Sequence, residues 1–365
     1  MPDRNISYHN LKSFVQQVFE AMGCPTDQAQ EASDVLLSAD LRGVDSHGVA
    51  RLQGYYRLWK EGRVNTNPNI QVVHETPSTA VIDGDKGLGL VVAPVAMRIA
   101  MEKAEKVGTG WVSVKNSNHY GIAGYHSMMA LEKDMIGWSM TNASPLVSPT
   151  FSKERLLGTN PISVAIPAKE QPAFVADFAT TTAANGKLEV LKRKGQDAPL
   201  GWVQDKEGKP TTNVEALKDG GSMLPLGGDR EHASHKGYIL GSIVDIFSAV
   251  LSGANYGPWA PPFVSFLPLR EDPVGEGLGH FLGAMRVDAF RPADEFKSHM
   301  DNWITTFRNS AVTEENDKVL IPGDPEREMS AKRMKEGIHL LAPVVEDLTH
   351  LGNELGVDLE AFFKS

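Results

Sequence analysis

The sequence predicts a mixed α/β protein, with a sheet in the middle of the chain and a helical lobe built from both ends. Three observations predict it. Apolar residues recur with a period near 3.6 through the first 65 residues. Between residues 70 and 290, short apolar runs bounded by turn residues alternate with helical segments. After residue 291 the helical period returns. The expected units are therefore a helical lobe from 1–70 with 291–365, and an α/β domain over 71–290.

Leu11, Phe14, Val15, Val18, Phe19 and Met22 place an amphipathic helix over 7–22, stopped at Gly23. Thr26 reads as the N-cap of a second helix through Ala29, Ala32, Val35, Leu36 and Ala39, ending near Gly43. Ser46 reads as the N-cap of a third, running from His47 to about Lys60 and stopped at Gly62. IQVVH (70–74) and TAVIDGD (79–85) read as strands, followed by a helix over 91–106 and the strand GWVSVKN (110–116). A helix over 122–134 leads to strands at 136–142, 162–167 and 173–178. Further on, the pattern predicts an apolar helix over 237–252 and a Gly- and Pro-rich crossing loop at 254–279. A strand over 280–290 and helices over 293–309 and 329–355 complete the expected fold.

One stretch imitates a dinucleotide fingerprint. TAVIDGDKGLGLVVAPVAMRIA is strand, Gly-rich turn and helix, but Val92 stands where a third glycine belongs. No acidic residue ends the next strand, where a ribose contact would fall. GEGLGH at 275–280 lacks both flanking elements. The expected sheet is therefore not a Rossmann domain.

Composition narrows the functional classes. The chain has 365 residues, 22% of them charged, and a formal net charge of −10. That charge disfavours nucleic acid and anionic membranes as partners, and requires any carboxylate ligand to be caught by local cations. Cys24 is the single cysteine, so neither an intrachain disulfide nor a cysteine-based zinc site can form. With no signal-length apolar core near the N-terminus, the expected location is the cytoplasm.

Two histidine segments carry the chemistry. In LRGVDSHGVAR (41–51), His47 and Arg51 stand at i and i+4, one face of the expected helix. The pair could hold a small carboxylate, or be a solvated helix face. In NSNHYGIAGYH (116–126), His119 follows a strand end and precedes Gly121 and Gly124, which permit close backbone approach. It could exchange a proton with a ligand, or sit in a helix-capping loop. His119 and His126 share an i, i+7 spacing, but no third metal ligand is indicated and no metal is expected. Asp177 ends a strand, where ligands collect or the next helix is capped. Lys236 stands before an apolar helix, against the dipole, unless an anion lies nearby.

LRGVDSHGVARLQGY, NSNHYGIAGYH, LGTNPISVAIP, DFATTTAANGK, SHKGY and IPGDPE occur in that order. Together they resemble the type-2 malate/L-lactate dehydrogenase family, which includes sulfolactate and ureidoglycolate dehydrogenases and cyclic-imine reductases. The resemblance runs from about residue 5 to the C-terminus. It implies a non-Rossmann nucleotide-binding fold, a homodimer, and hydride transfer between a nicotinamide cofactor and a small 2-hydroxy acid, foremost malate. It implies His119 as catalytic acid/base, with His47 and Arg51 holding the substrate. Asp177, Phe178 and Ala179 would lie along the cofactor, as would Ser144, Thr159, Asn160 and Lys236. Phe178 departs from the methionine usual in the family. Gly323, Asp324 and Pro325 would meet its adenosine side. There Asp324 could accept ribose hydroxyls and repel a 2′-phosphate, which favours NAD over NADP. The segment WAPPFVSF could serve the subunit contact or an internal crossover.

Overall fold

The computed structural model describes residues 1–363. Strand β1 (Arg4–Ile6) opens the chain, followed by helices α1 (Tyr8–Ala21) and α2 (Thr26–Leu41). The buried face of α1 is Leu11, Phe14, Val15, Val18 and Phe19, and Ser7 caps it by accepting from the Asn10 N–H. Thr26 is not a cap: Pro25 occupies that position and no side chain closes the end. Proline tolerates the edge of a helix because it has no N–H to satisfy.

The third helix starts later than its sequence suggests. Two 3₁₀ turns, Asp45–His47 and Val49–Arg51, precede α3 (Leu52–Lys60), and Ser46 caps nothing. The cause is the buried Asp40 carboxyl. It accepts from the Val49 N–H at 2.6 Å. It also fills the space beside Gly48, where a Cβ would stand 2.2 Å from it. The chain therefore bends round Asp40 instead of extending a helix through His47.

Strands β2 (Gln71–Glu75) and β3 (Thr79–Asp83) lead through α4 (Gly89–Val107) to β4 (Thr109–Ser117). Helix α5 (Ala123–Met128) tightens into a 3₁₀ turn before β5 (Met135–Thr141), β6 (Ile162–Ile166) and β7 (Phe174–Phe178). Then come α6 (Asn185–Arg193) and three two-residue strands, β8 (Val203–Gln204), β9 (Pro210–Thr211) and β10 (Ser222–Met223). The sequence pattern gives no sign of these four, which are too short or too polar to show a period. Helix α7 (Ser234–Asp245) runs on as a π-helical turn, Ile246–Val250. Strand β11 (Leu278–Arg286) ends in a 3₁₀ turn, earlier than expected. The C-terminal part is α8 (Ala293–Arg308), α9 (Asp324–Glu336), β12 (Ile338–Leu340), α10 (Ala342–Leu355) and α11 (Glu360–Phe363). The expected helix over 329–355 is thus two helices, because residues 338–340 pair antiparallel with β1.

The main sheet has the order β2-β3-β4-β11-β5-β6-β7. Only the β3–β4 pair is parallel. This is a mixed, largely antiparallel sheet, and among the described residues no βαβαβ half is present to make it a Rossmann domain. Helix α4 lays Val92, Ala96, Met97 and Ala100 on Ile82, Val112, Val114 and Leu282 of the sheet. The second core joins α1, α2 and α3 to Val344, Val345, Leu348 and Leu351 of α10. Segments from both chain ends thus share this core, whereas α8 rests beside β7 through Trp303 on Phe174, and the histidine segments lie where the helical core meets the sheet.

Candidate active site

Strand β4 delivers the His119 loop. Asn118 donates from Nδ2 to the carbonyls of Lys86, at 2.9 Å, and Gly87, at 3.1 Å. A Cβ on Gly89 would stand 2.1 Å from the Asn118 carbonyl oxygen and 2.6 Å from that of His119. The glycines that imitate a dinucleotide fingerprint therefore seat the histidine loop. The Tyr55 hydroxyl lies 2.6 Å from His119 Nδ1. The rings of Phe263 and His47 stand 4.6 and 6.0 Å from that of His119. Its Nε2 has no partner among the described residues, and the ring borders a cavity of about 70 Å³ shared with His47, Arg51, Ser144, Thr159 and Asn185.

Burial, reinforced by His47, Arg51 and His280, holds His119 well below the ordinary histidine range. Burial and then Arg51 bring His47 down to about 4. Desolvation is the larger of the two causes. The Arg51 Nε donates to the Ser46 carbonyl at 2.6 Å. Its two terminal nitrogens face the Glu189 carboxylate at 3.4 and 3.2 Å. The Ser46 hydroxyl meets His47 Nδ1 at 2.8 Å. An imidazole with an open ring nitrogen and a planar cation thus face one small cavity.

A larger cleft of about 580 Å³ shares His47, Thr159 and Ala184 with that cavity. Asp177, Phe178 and Ala179 line it, together with Arg42, Lys187 and Glu326. Asp177 accepts from the Gly124 N–H at 2.7 Å. The protein around Asp177 still pushes its carboxyl up, to about 6. Ser144 borders the histidine cavity and accepts from the Phe263 N–H at 2.8 Å.

Other expected cofactor residues lie elsewhere. Asn160 is fully buried, its amide joining Ala143 N (3.2 Å) to the Gly241 carbonyl (2.9 Å), so it clamps two loops. Lys236 lies exposed in the first turn of α7, and neither cavity includes it. Gly323, Asp324 and Pro325 open α9 and line neither cavity. The Asp324 carboxylate accepts from Arg308, Arg327 and the Ile321 N–H. With its charge neutralised there, Asp324 no longer argues against a 2′-phosphate. The sequence reading missed Tyr55, Phe263, Arg42 and Glu189. Tyr55 stands four residues after Arg51, a spacing that could have found it. Phe263 has no local signal: the 254–279 loop carries it across the molecule, so WAPPFVSF includes an internal crossover.

The site therefore brings two histidines and an arginine to one small cavity beside a larger cleft. The family described as malate/L-lactate dehydrogenase matches residues 6–349. A malate dehydrogenase of Pyrococcus abyssi is 43% identical over 95% of this chain and 94% of its own length. A malate/(S)-sulfolactate dehydrogenase of Methanothermus fervidus is 39% identical over 97% and 99%. The solved malate dehydrogenase of Pyrococcus horikoshii superposes with a TM-score of 0.88 at 39% identity, covering 98% of this chain and 97% of that one. The chain belongs to the malate/L-lactate dehydrogenase family. It is a 2-hydroxy acid dehydrogenase that works with a nicotinamide cofactor.

Proposed function

We propose that the protein interconverts malate and oxaloacetate, with His119 as the acid/base. The observation that carries this is the unpartnered His119 Nε2 on a cavity that also contains the Arg51 side chain. In oxidation, Nε2 takes the hydroxyl proton as the substrate carbon gives up its hydride. In reduction, protonated Nε2 returns it to the forming alkoxide. Arg51 binds the carboxylate end, and His47 orients the reacting oxygen beside it. The Tyr55 hydroxyl and the Phe263 ring fix the angle of His119 and keep water off its face.

Arg42 and Lys187 suit the two charges of a pyrophosphate, and Thr159, Asp177, Phe178 and Ala179 would flank the rest of the cofactor. When bound, the nicotinamide supplies or receives the hydride. Those two cations are matched by the pyrophosphate, while Asp177 and Glu326 would repel a third phosphate. We therefore favour NAD, with NADP as the weaker alternative. The proposed assembly is a cytoplasmic homodimer. Its support is the exposed apolar stripe Ile239, Ile243, Ile246, Phe247 and Val250 on α7 and its π-helical extension.

The relatives' names support malate and also set its rival, since the Methanothermus enzyme carries sulfolactate in its name. A panel of oxaloacetate, pyruvate, sulfopyruvate and a cyclic imino acid, each with NADH and NADPH, tests the reading. We expect the highest kcat/KM with oxaloacetate and NADH. A much higher value with sulfopyruvate or pyruvate overturns malate as substrate, and one with NADPH overturns NAD.

A further inference from the structure

The arginine assigned to the substrate is already engaged by a carboxylate. Glu189 presents both oxygens to the two terminal nitrogens of Arg51, at 3.4 and 3.2 Å. This is the forked arrangement that a substrate carboxylate would need. The remaining Arg51 nitrogen, Nε, is held by the Ser46 carbonyl at 2.6 Å. A bidentate carboxylate approaching the outer edge of the guanidinium therefore meets Glu189 first.

Three observations indicate that Glu189 competes with the substrate rather than supporting Arg51. Arg51 does not need Glu189 for orientation, because the Ser46 carbonyl fixes its plane. The Glu189 side chain is 43% exposed, against 18% for Arg51, so it can swing away without losing core packing. It borders an open cleft of about 600 Å³ whose walls include Arg57, Lys192 and Lys218. That cleft offers room for a displaced carboxylate, although its cations are already paired, Lys192 and Lys218 with Glu215 and Arg57 with Glu61. The start of α6 lies hard against the site: a Cβ on Gly186 would stand 2.9 Å from Arg51 Nη2 and 2.5 Å from Ser46 Cβ. Asn185, in the same turn, donates to Glu189 Oε1 at 2.9 Å and lines the histidine cavity.

We propose that Glu189 occupies the Arg51 fork in the substrate-free protein and is exchanged for the carboxylate of the substrate as it binds. Glu189 thereby sets substrate affinity without touching the reacting atoms. This rests on the assignment of Arg51 as the carboxylate anchor. The site stays close to charge-neutral while empty, and binding swaps one ion pair for another. A half-exposed ion pair is worth little, so the competition weakens binding by a small factor.

The test is titration of oxalate, a carboxylate mimic of a 2-oxo acid, into the full-length wild-type protein and the Glu189→Gln variant, with and without NADH. Displacement predicts that oxalate binds Glu189→Gln about two- to fivefold more tightly. KM for oxaloacetate should fall by the same factor with kcat unchanged, and the melting temperature should hold. An equal or weaker oxalate affinity in the variant overturns the proposal, since a supporting Glu189 would lose the arginine's aim when removed. The two readings separate cleanly. A wild-type enzyme inert towards oxaloacetate, beside tighter oxalate binding in Glu189→Gln, would defeat malate as substrate and leave the exchange standing. Rapid oxaloacetate turnover with unaltered oxalate affinity would do the reverse.

Discussion

His47 and His119 stand 6.0 Å apart, ring to ring, at the mouth of a cavity. His126 and His280 lie inside the protein, on Tyr120 at 4.5 and 4.7 Å, and neither has any exposed surface. Burial lowers the pKa of all four: His47 and His126 to about 4, His280 to about 3, and His119 well below its usual range. A suppressed pKa therefore does not single out the site. The difference lies in the ring nitrogens. His280 uses both, towards Thr141 Oγ1 at 2.7 Å and Ser117 Oγ at 2.8 Å. His126 donates to the Tyr120 carbonyl at 2.9 Å, and its other nitrogen is sealed without a partner. His119 keeps Nε2 open to a cavity that holds an arginine. A perturbed pKa marks chemistry only where a free atom and a space for substrate accompany it.

The largest effect expected from this contrast is at His119. His119→Ala should keep its melting temperature and cofactor affinity and lose on the order of 10²–10⁴ in kcat. His280→Ala should do the opposite, losing stability while the folded fraction turns over normally. Equal rate losses per folded molecule would erase the distinction between the pairs. The wild-type pH profile sharpens it. Reduction needs the imidazolium, so kcat/KM for oxaloacetate should fall as pH rises, whereas oxidation needs the neutral ring and should show the opposite limb. His119→Gln with wild-type rate and profile would transfer the role to His47. The next effect is at the anchor. Arg51→Lys keeps the charge and loses the fork, so kcat/KM should drop by about 2 kcal/mol or more. Cofactor affinity should hardly move.

How much of this was legible depends on range. The periodic faces of α1, α2 and α4 and the runs in β4 to β7 are local patterns, and the sequence reading located them. His119, His47 and Arg51 were legible because small residues and a short spacing surround each. Breaks imposed from far away were not. Asp40 turns the chain at Gly48, and β1 pulls residues 338–340 out of a helix, though neither partner is near in sequence. Phe263 reaches His119 for the same reason, through a loop that has no period. Nor was the clamp made by Asn160 legible, since its amide bonds two backbone groups that are distant in sequence.

The smallest effect concerns the sealed pair and follows from proton linkage. His280 has a folded pKa of about 3, against about 6.5 when unfolded. The unfolded state therefore binds the extra proton first, and the stability that neutral His280 contributes is complete above pH 6.5 and lost as pH falls towards 3. His280→Gln has no such proton. At pH 7.5 it should be less stable than wild type, by about 1–3 kcal/mol, for the disturbed hydrogen bonds to Thr141 and Ser117. Between pH 7.5 and 5 that gap should close by about 2 kcal/mol, because wild type alone is penalised by histidine protonation. Comparing variant with wild type cancels the buried acids, notably Asp40, whose carboxyl burial raises to about 8 and which favours the folded state as pH falls. Urea midpoints of both proteins at the two pH values measure the gap. A gap that stays constant would mean that His280 is protonated as easily folded as unfolded, and the sealed pair would then differ from the cavity pair in more than its partners.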